Sequence, residues 1–355
     1  MTTKHLLKAF AGWSAEQKPL VLASVFETEG STYSKAGAQM LITTDGHFQG
    51  MLSGGCLEGD LAERAHTVIK SGVPQSVTYD LGKNDEELWG LGVGCDGLMR
   101  IFLQPLLADD DYEPFASMAK AFAGDDVQFA ATVLESSLEN LAVGATLVNV
   151  DSLVAFSNIA DDYIDRVKAL ATVALREKRS ISKEVGIDDG VVKLLITLLQ
   201  PPPEILVLGA GLDAEPVVRL ASELGWRVTI QDHRPAYIES GNFVTAEHIH
   251  CMPVDEISAS LDLDGYAATI VMSHHLASDR QYLRQLAGSH IEYIGLLGPG
   301  DRRRRLLEEL GDLSDSLESR VHGPAGLDLG GRGPASIALS IIAEMHQYLM
   351  RQRGC

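Results

Sequence analysis

The feature that most constrains this chain is residues 204–234, which have the pattern of a strand, a glycine-rich turn, a helix and a second strand. The apolar run at 205–208 is short enough for a fully buried parallel strand. Residues 209–214, with the sequence GAGLDA, follow it and match the G-x-G-x-x-A fingerprint of dinucleotide-binding units. The stretch therefore predicts a Rossmann-type unit.

Three positions of this fingerprint have distinct physical roles. Gly209 permits the tight turn off the strand, and Gly211 lets a ligand approach the backbone because it has no Cβ. Ala214 is small enough for the following helix, predicted over 214–224, to pack on the strand. The free N–H groups and the positive dipole end of that helix attract a phosphate. We therefore expect these three residues to contact a cofactor.

The second strand, predicted over 227–231, is closed by Asp232. A carboxylate at this position accepts hydrogen bonds from a ribose, so we expect an adenine nucleotide, with NAD as the first candidate. Arg234 suits a ribose phosphate, but Asp232 would repel that group, which favours NAD-like over NADP-like ligands. The alternative is that the glycines serve only strand–helix packing and that the fold binds no ligand.

Composition excludes several classes of partner. The chain has 355 residues, enough for two domains or slightly more, and a formal charge of −20. That charge argues against non-specific binding to nucleic acid or to an anionic membrane. No apolar run has the length of a membrane span and the N-terminus has no signal-peptide core, so cytoplasm is the expected location. The four cysteines are far apart and form neither a disulfide framework nor a zinc-ribbon pattern.

The order of predicted elements gives an α/β fold with two separate parts. We expect a C-terminal Rossmann-type doubly wound parallel sheet over 201–355 and an N-terminal α/β domain over 1–108. Residues 109–200 are predicted to form a middle α/β segment that packs on the N-terminal domain. Three consecutive prolines at 201–203 form a rigid extended connector into the Rossmann unit.

The N-terminal domain carries a cysteine beside two glycines. Gly54 and Gly55 leave Cys56 sterically open, and a helix predicted over 59–70 follows it. A helix N-terminus favours the thiolate form of a thiol, and a thiolate is a soft ligand. The neighbouring Glu58 is placed to orient a polar ligand or to act in proton transfer.

A second glycine-rich loop, residues 90–97, contains Cys95. We expect both loops to expose a thiol and backbone N–H groups to a ligand. The alternative is that Cys56 and Cys95 are small apolar residues in tight turns. Cys251 and Cys355 have no such loops.

Two further clusters follow predicted strands of the Rossmann unit. His274, with Asp279 after it, lies where ligands gather at the carboxyl edge of open α/β sheets, although a helix-capping cluster is an equal alternative. Residues 302–305 are four consecutive arginines after a glycine-proline turn. Guanidinium groups suit a phosphate, but a solvated helix face or a partner-docking surface is as compatible with this pattern.

Taken together, these stretches resemble the XdhC/CoxI family, whose members mature xanthine and carbon monoxide dehydrogenases. The resemblance covers both ends of the chain and leaves the middle segment unmatched. The matching stretches are residues 30–32 with 35–38, 53–59, 94–97, 201–211 with 232–235, 273–274 with 279, 293–298 and 321–328.

The resemblance implies binding of the molybdenum cofactor, its sulfuration with a cysteine desulfurase, and its delivery to a client molybdoenzyme similar to xanthine dehydrogenase. It makes Cys56 and Cys95 possible contacts of that cofactor. We also expect a homodimer in which the two domains clasp a cleft. The rival hypothesis is an NAD-dependent oxidoreductase with His274 as acid/base, and a third is a structural adaptor with a vestigial Rossmann fold.

Overall fold

The computed structural model describes residues 2–80, 97–187 and 190–353. The chain forms two compact units, Met1–Pro201 and Pro202–Cys355. Both Cys95 and Cys355, and most of the second glycine-rich loop, lie outside the described residues.

The first unit contains two antiparallel five-stranded sheets with helices packed on them. Its helices are α1 Thr3–Ala15, α2 Glu58–Ser71, α3 Phe115–Ala123 and α4 Asp161–Glu177. Its strands are β1 Leu20–Glu29, β2 Gln39–Thr43, β3 Phe48–Gly50, β4 Gln75–Asp80, β5 Leu98–Leu106, β6 Gln128–Ser136, β7 Thr146–Val150, β8 Leu153–Ser157, β9 Ile181–Ile187 and β10 Gly190–Leu199.

The first sheet has the order β3-β2-β1-β5-β4, with β1 paired to β2 and to β5. Strands β2 and β3 form a hairpin that turns at residues 45–46. Helix α2 lies on this sheet because Leu61, Ala65 and Val68 form an apolar stripe at helical spacing, and all three are buried. The helix ends at Gly72, which adopts the left-handed conformation that favours glycine at this position.

The second sheet has the order β8-β7-β6-β10-β9. It packs against α4 through Tyr163, Val167, Ala171 and Ala174, which repeat every three or four residues and are buried. Strands β9 and β10 pair antiparallel at one edge of this sheet.

The second unit is a six-stranded parallel sheet with the order β13-β12-β11-β14-β15-β16, which confirms the Rossmann-type prediction. Its strands are β11 Glu204–Leu208, β12 Arg227–Asp232, β13 His248–Cys251, β14 Ala268–Val271, β15 Ile294–Leu296 and β16 Val321–His322. Its helices are α5 Ala214–Glu223, α6 Pro235–Ser240, α7 Ile257–Ser260, α8 Leu276–Leu286, α9 Gly300–Leu310, α10 Ser314–Leu317 and α11 Pro334–Arg353.

Helices cover both faces of this sheet, as an all-parallel sheet requires. One core joins α5 and α11 to the strands, with Val217 and Ile341 among its fully buried members. The other joins α8 and α9 to the opposite face, with Tyr282 and Leu306 fully buried. The sheet edge at the carboxyl ends of the strands therefore lies between two helical layers.

Sequence patterns missed some of the second unit. The short strand β13 and helix α6 have no counterpart among the predicted elements. Helix α8 begins at Leu276, where the His275 side chain accepts a hydrogen bond from the Ser278 N–H and caps the helix. No helix in the described part of the chain is long and apolar enough to cross a membrane.

Candidate cofactor site

Glu58 organises the loop that carries Cys56. It is the first residue of α2, and its side chain is buried. Its carboxylate accepts the backbone N–H groups of Leu52, Ser53, Gly55 and Leu57 and the Ser53 hydroxyl, at donor–acceptor distances of 2.5 to 3.2 Å. A carboxylate offers about four lone-pair sites, so these five donors saturate it.

These contacts give Glu58 a different role from the expected one. Burial alone would raise its pKa, but the hydrogen bonds from Ser53 and from the backbone of Leu52 outweigh burial and hold the pKa below its ordinary value. An ionised carboxylate with saturated oxygens anchors its own loop and is not free for proton transfer or for a ligand.

Cys56 is half-buried and packs against the core of the first sheet. The preceding Gly55 has a φ of +111°, and a Cβ added there would have no other atom within 4 Å. A Cβ added at Gly54 would lie 3.3 Å from the Tyr33 ring. The Gly55 N–H donates to Glu58, so this N–H is not offered to a ligand, contrary to the expectation for the whole loop. Among the described residues, the N–H groups of Gly54 and Cys56 are the ones in this turn without a hydrogen-bond acceptor.

The other cysteines contribute nothing further to a described site. Cys251 is exposed at the end of β13, and Cys95 lies outside the described residues. In the described ranges, no group of three or more His, Cys, Asp or Glu side chains is placed to hold a metal ion. The described part of this loop therefore offers one soft ligand rather than a multidentate metal centre.

The fingerprint of the second unit folds as expected around Gly209. Its φ is +120°, and an added Cβ would lie 2.7 Å from the Met272 carbonyl carbon and from the Ser273 Cα. Glycine is therefore required both by the turn and by the close approach of β11 to β14. Ala214, the first residue of α5, is fully buried in the core that joins this helix to the sheet, as predicted from its size.

His274 lies beside the second fingerprint glycine. Its Nε2 is 2.6 Å from Asp213 Oδ2, and its backbone φ is +60°, a strained conformation for a residue with a side chain. A Cβ added at Gly211 would be 3.5 Å from the His274 ring. The His274–Asp213 contact thus bridges the ends of β14 and β11 over the glycine turn, and its acid/base role stays a prediction.

Asp232 is buried and paired with Arg234. Its side chain is 0% exposed, and both oxygens accept hydrogen bonds from Arg234 at 2.7 to 2.9 Å. Oδ2 also accepts the Ala210 N–H at 2.8 Å, which ties the glycine turn to the end of β12. Burial would raise the pKa of Asp232, but the Arg234 guanidinium and the Ala210 N–H lower it.

A second acid–arginine pair lies at the ends of β14 and β15. Asp279 is buried in the first turn of α8, where it accepts the Ser273 hydroxyl at 2.5 Å and the Arg302 guanidinium at 2.5 and 3.1 Å. Ser273 also accepts Arg234 Nη2 at its carbonyl oxygen, at 3.3 Å. Ser273, which sequence reasoning did not assign a role, therefore joins the two pairs.

The four consecutive arginines do not act together. Arg303 donates to the carbonyl oxygens of Val321 and Glu318, so it ties α9 to the following segment. Arg304 and Arg305 pair with acids of their own helix. Of the four, Arg302 is the one that reaches the acid–arginine cluster at the sheet edge.

His322, the last residue of β16, belongs to a separate aromatic cluster. His322 stacks on Tyr293 with ring centroids 4.4 Å apart, and burial lowers the pKa of its imidazole. Tyr293 donates its hydroxyl to Glu344 at 2.6 Å, and the Gly326 N–H donates to the same carboxylate oxygen at 2.7 Å. These contacts hold residues 321–328 against α11.

Comparison with known proteins matches both units. Residues 13–80 match the family model described as the XdhC and CoxI family, and residues 205–345 match the XdhC Rossmann domain. The chain belongs to the XdhC/CoxI family. The two matched ranges contain Cys56 with Glu58 and the acid–arginine cluster respectively, so both sites belong to the family's own domains.

Relatives in this family cover nearly the whole chain. A crystal structure of a Bacillus halodurans protein described as a xanthine dehydrogenase superposes with a TM-score of 0.78 at 28% identity, over 99% of this chain and 97% of that one. A Bacillus subtilis protein described as a probable subunit of xanthine dehydrogenase is 27% identical over 95% of both chains. The "Molybdenum cofactor insertion chaperone PaoD" of Escherichia coli is 23% identical over 94% of this chain and 85% of its own length.

Proposed function

We propose that this XdhC/CoxI protein is a maturation factor that binds the molybdenum cofactor and delivers it to a molybdoenzyme of the xanthine dehydrogenase type. The observation that carries the proposal is the near-full-length likeness to a protein named as a molybdenum cofactor insertion chaperone and to one named as part of a xanthine dehydrogenase. One name describes a chaperone and the other a component of a larger enzyme, so neither relative is named as a stand-alone catalyst.

The residues on the Cys56 loop fit such a ligand. Cys56 offers a soft sulfur, and the adjacent Gly55 backbone is open to a close approach. Glu58 fixes the turn in advance, so little conformational entropy is lost when a ligand binds there. The cofactor supplies the metal chemistry of the client; in this chain Cys56 binds and Glu58 holds the turn.

Three finer points belong to the same proposal. A cysteine desulfurase supplies the sulfur for the cofactor while it is held, and the working form is a cytoplasmic homodimer. Cys95 is the second thiol contact, as its glycine-rich loop predicts. The support for these points is the family resemblance and the sequence pattern.

A second candidate function is an NAD-dependent oxidoreductase with His274 as acid/base. It is favoured by one observation, the 2.6 Å contact between His274 Nε2 and Asp213 Oδ2 over the fingerprint turn. An imidazole oriented by a carboxylate is a common arrangement for proton transfer. Hydride transfer from NADH to small carbonyl substrates, abolished in His274→Ala, would support this candidate over the first.

The test of the first candidate uses full-length apo-protein, molybdenum cofactor and an apo client dehydrogenase. Wild type should retain the pterin through gel filtration and activate the client, whereas Cys56→Ser should lose one or both. Cys251→Ser is the matched control, because Cys251 is an exposed thiol outside any glycine-rich loop. Equal retention and equal activation by both variants would contradict a role for the Cys56 thiol.

A further inference from the structure

We propose that the end of β12 binds a phosphomonoester through Arg234 and does not bind a ribose diol through Asp232. The ligand class is a phosphate-bearing nucleotide or pterin, and the preference is the reverse of the one that Asp232 alone would indicate. The inference depends only on contacts within the second unit and goes beyond the proposed delivery of a cofactor to a client.

The first step is that Asp232 has no free acceptor site. Oδ1 accepts the Arg234 backbone N–H at 2.9 Å and Nε at 2.8 Å. Oδ2 accepts the Ala210 N–H at 2.8 Å and Arg234 Nη2 at 2.7 Å. These contacts fill the approximately four lone-pair sites of a carboxylate. A ribose diol would have to displace one of them from a side chain that is 0% exposed.

The second step is that the charge facing solvent belongs to Arg234. Its side chain is 26% exposed and packs over the Tyr237 ring, with the guanidinium carbon 3.7 Å from the ring centroid. Within the described ranges, Nη1 donates to no acceptor, while Nε and Nη2 are held by Asp232 and by the Ser273 carbonyl. The guanidinium is therefore fixed in advance and keeps two N–H donors for an anion.

The third step is the position of this guanidinium in the sheet. Strands β12 and β14 lie on opposite sides of β11, so the contact from Arg234 to Ser273 passes across the carboxyl end of β11. Ligands of open α/β sheets bind at this reversal of strand order. Arg302, held by Asp279 and with its side chain 22% exposed, adds a second guanidinium at the same edge. An anion there meets positive groups whose partner acids are both buried.

The test measures binding by titration calorimetry on the full-length protein at one fixed ionic strength. The matched probes are NADP against NAD and adenosine 2′-monophosphate against adenosine. Inorganic phosphate tests binding of the phosphate group alone, and a pterin phosphate tests the second class of ligand that carries this group. We expect each phosphomonoester to bind at least about tenfold more tightly than its unphosphorylated partner, the gain expected of a charge-assisted contact to arginine. Whether the nucleotide or the pterin phosphate binds more tightly identifies the source.

Variants separate the two residues. Arg234→Gln should abolish the preference for phosphate, whereas Arg304→Gln, which alters an exposed pair on α9, should leave it unchanged. Asp232→Asn removes part of the anchor of the guanidinium but keeps the Arg234 charge, so the phosphate preference should weaken yet persist, and the affinity for NAD should fall no more than that for the phosphates. If Arg234→Gln fails to fold, the Asp232→Asn result still decides, because a ribose-binding Asp232 requires NAD affinity to fall in that variant.

Three results would overturn the proposal. These are tighter binding of NAD than of NADP, a weaker affinity of Asp232→Asn for NAD with the phosphates unaffected, or no binding of any phosphate. None of the probes is the molybdenum cofactor. The Cys56 experiment can therefore fail or succeed independently of this one.

Discussion

Glu58 in the first unit and Asp232 in the second are both buried carboxylates that hold a glycine-containing turn, but they are neutralised differently. Glu58 is surrounded by N–H and O–H donors of its own loop, all within six residues in sequence. Asp232 also holds a turn through the Ala210 N–H, 22 residues away, but its charge is balanced by Arg234.

The difference sets what each site presents to a ligand. Among the described residues, the groups that donate to Glu58 are all neutral, so the group that this loop offers to a ligand is the Cys56 thiol. The pair at Asp232 keeps its acid inside and its guanidinium partly exposed, so that edge presents positive charge. One unit is therefore suited to a soft centre and the other to an anion.

Removal of the Glu58 carboxylate should have the largest effect. Glu58→Ala leaves the buried N–H groups of Leu52 and Ser53 and the Ser53 hydroxyl without their acceptor, and we expect a loss of about 3 kcal/mol in the first unit. Hydrogen exchange read peptide by peptide should show faster exchange across residues 52–57 and no change in the second unit.

Glu58→Gln is the matched variant for this comparison. It keeps the shape and one acceptor oxygen, so it should retain part of the protection at residues 52–57. Unchanged exchange in Glu58→Ala would mean that the loop holds its conformation without the carboxylate, and the contrast between the two units would then be wrong.

The acid–arginine cluster should respond to loss of its cation. Arg302→Ala leaves the buried Asp279 with the Ser273 hydroxyl as its remaining side-chain partner, and we expect a loss of about 2 kcal/mol confined to the second unit. Arg304→Ala removes an exposed pair of the same helix and should cost less than about 0.5 kcal/mol. The measurement is pulsed hydrogen exchange in urea, because a chain of two units need not unfold in one step. Equal effects of the two variants would show that the cluster is no stronger than a surface ion pair.

The sequence predicted the scaffold of both sites better than the state of their side chains. The fingerprint, its strands and α5 were predictable because Gly209 and Ala214 act through local sterics, and the Rossmann-type fold is confirmed. Whether Asp232 binds a ribose or pairs with Arg234 was not predictable from the sequence, because a separation of two residues is compatible with both arrangements. The Ser273–Asp279–Arg302 contacts join three elements, so no local pattern contains them.

The smallest effect is on the pH dependence of stability. Hydrogen bonds hold the pKa of Glu58 below its ordinary value of 4.5, despite burial, which acts in the opposite direction. A carboxyl group with a lowered folded-state pKa stabilises the fold fully above the unfolded value, and this contribution is lost as pH falls through the folded value. The urea midpoint of the first unit should therefore fall as the pH drops below about 4.5 in wild type and fall less steeply in Glu58→Gln.

Asp232 also has a lowered pKa, so the second unit should weaken on acidification in both proteins and serves as the internal control. The same slope for the first unit in both proteins would mean that other carboxylates, rather than Glu58, dominate its acid response.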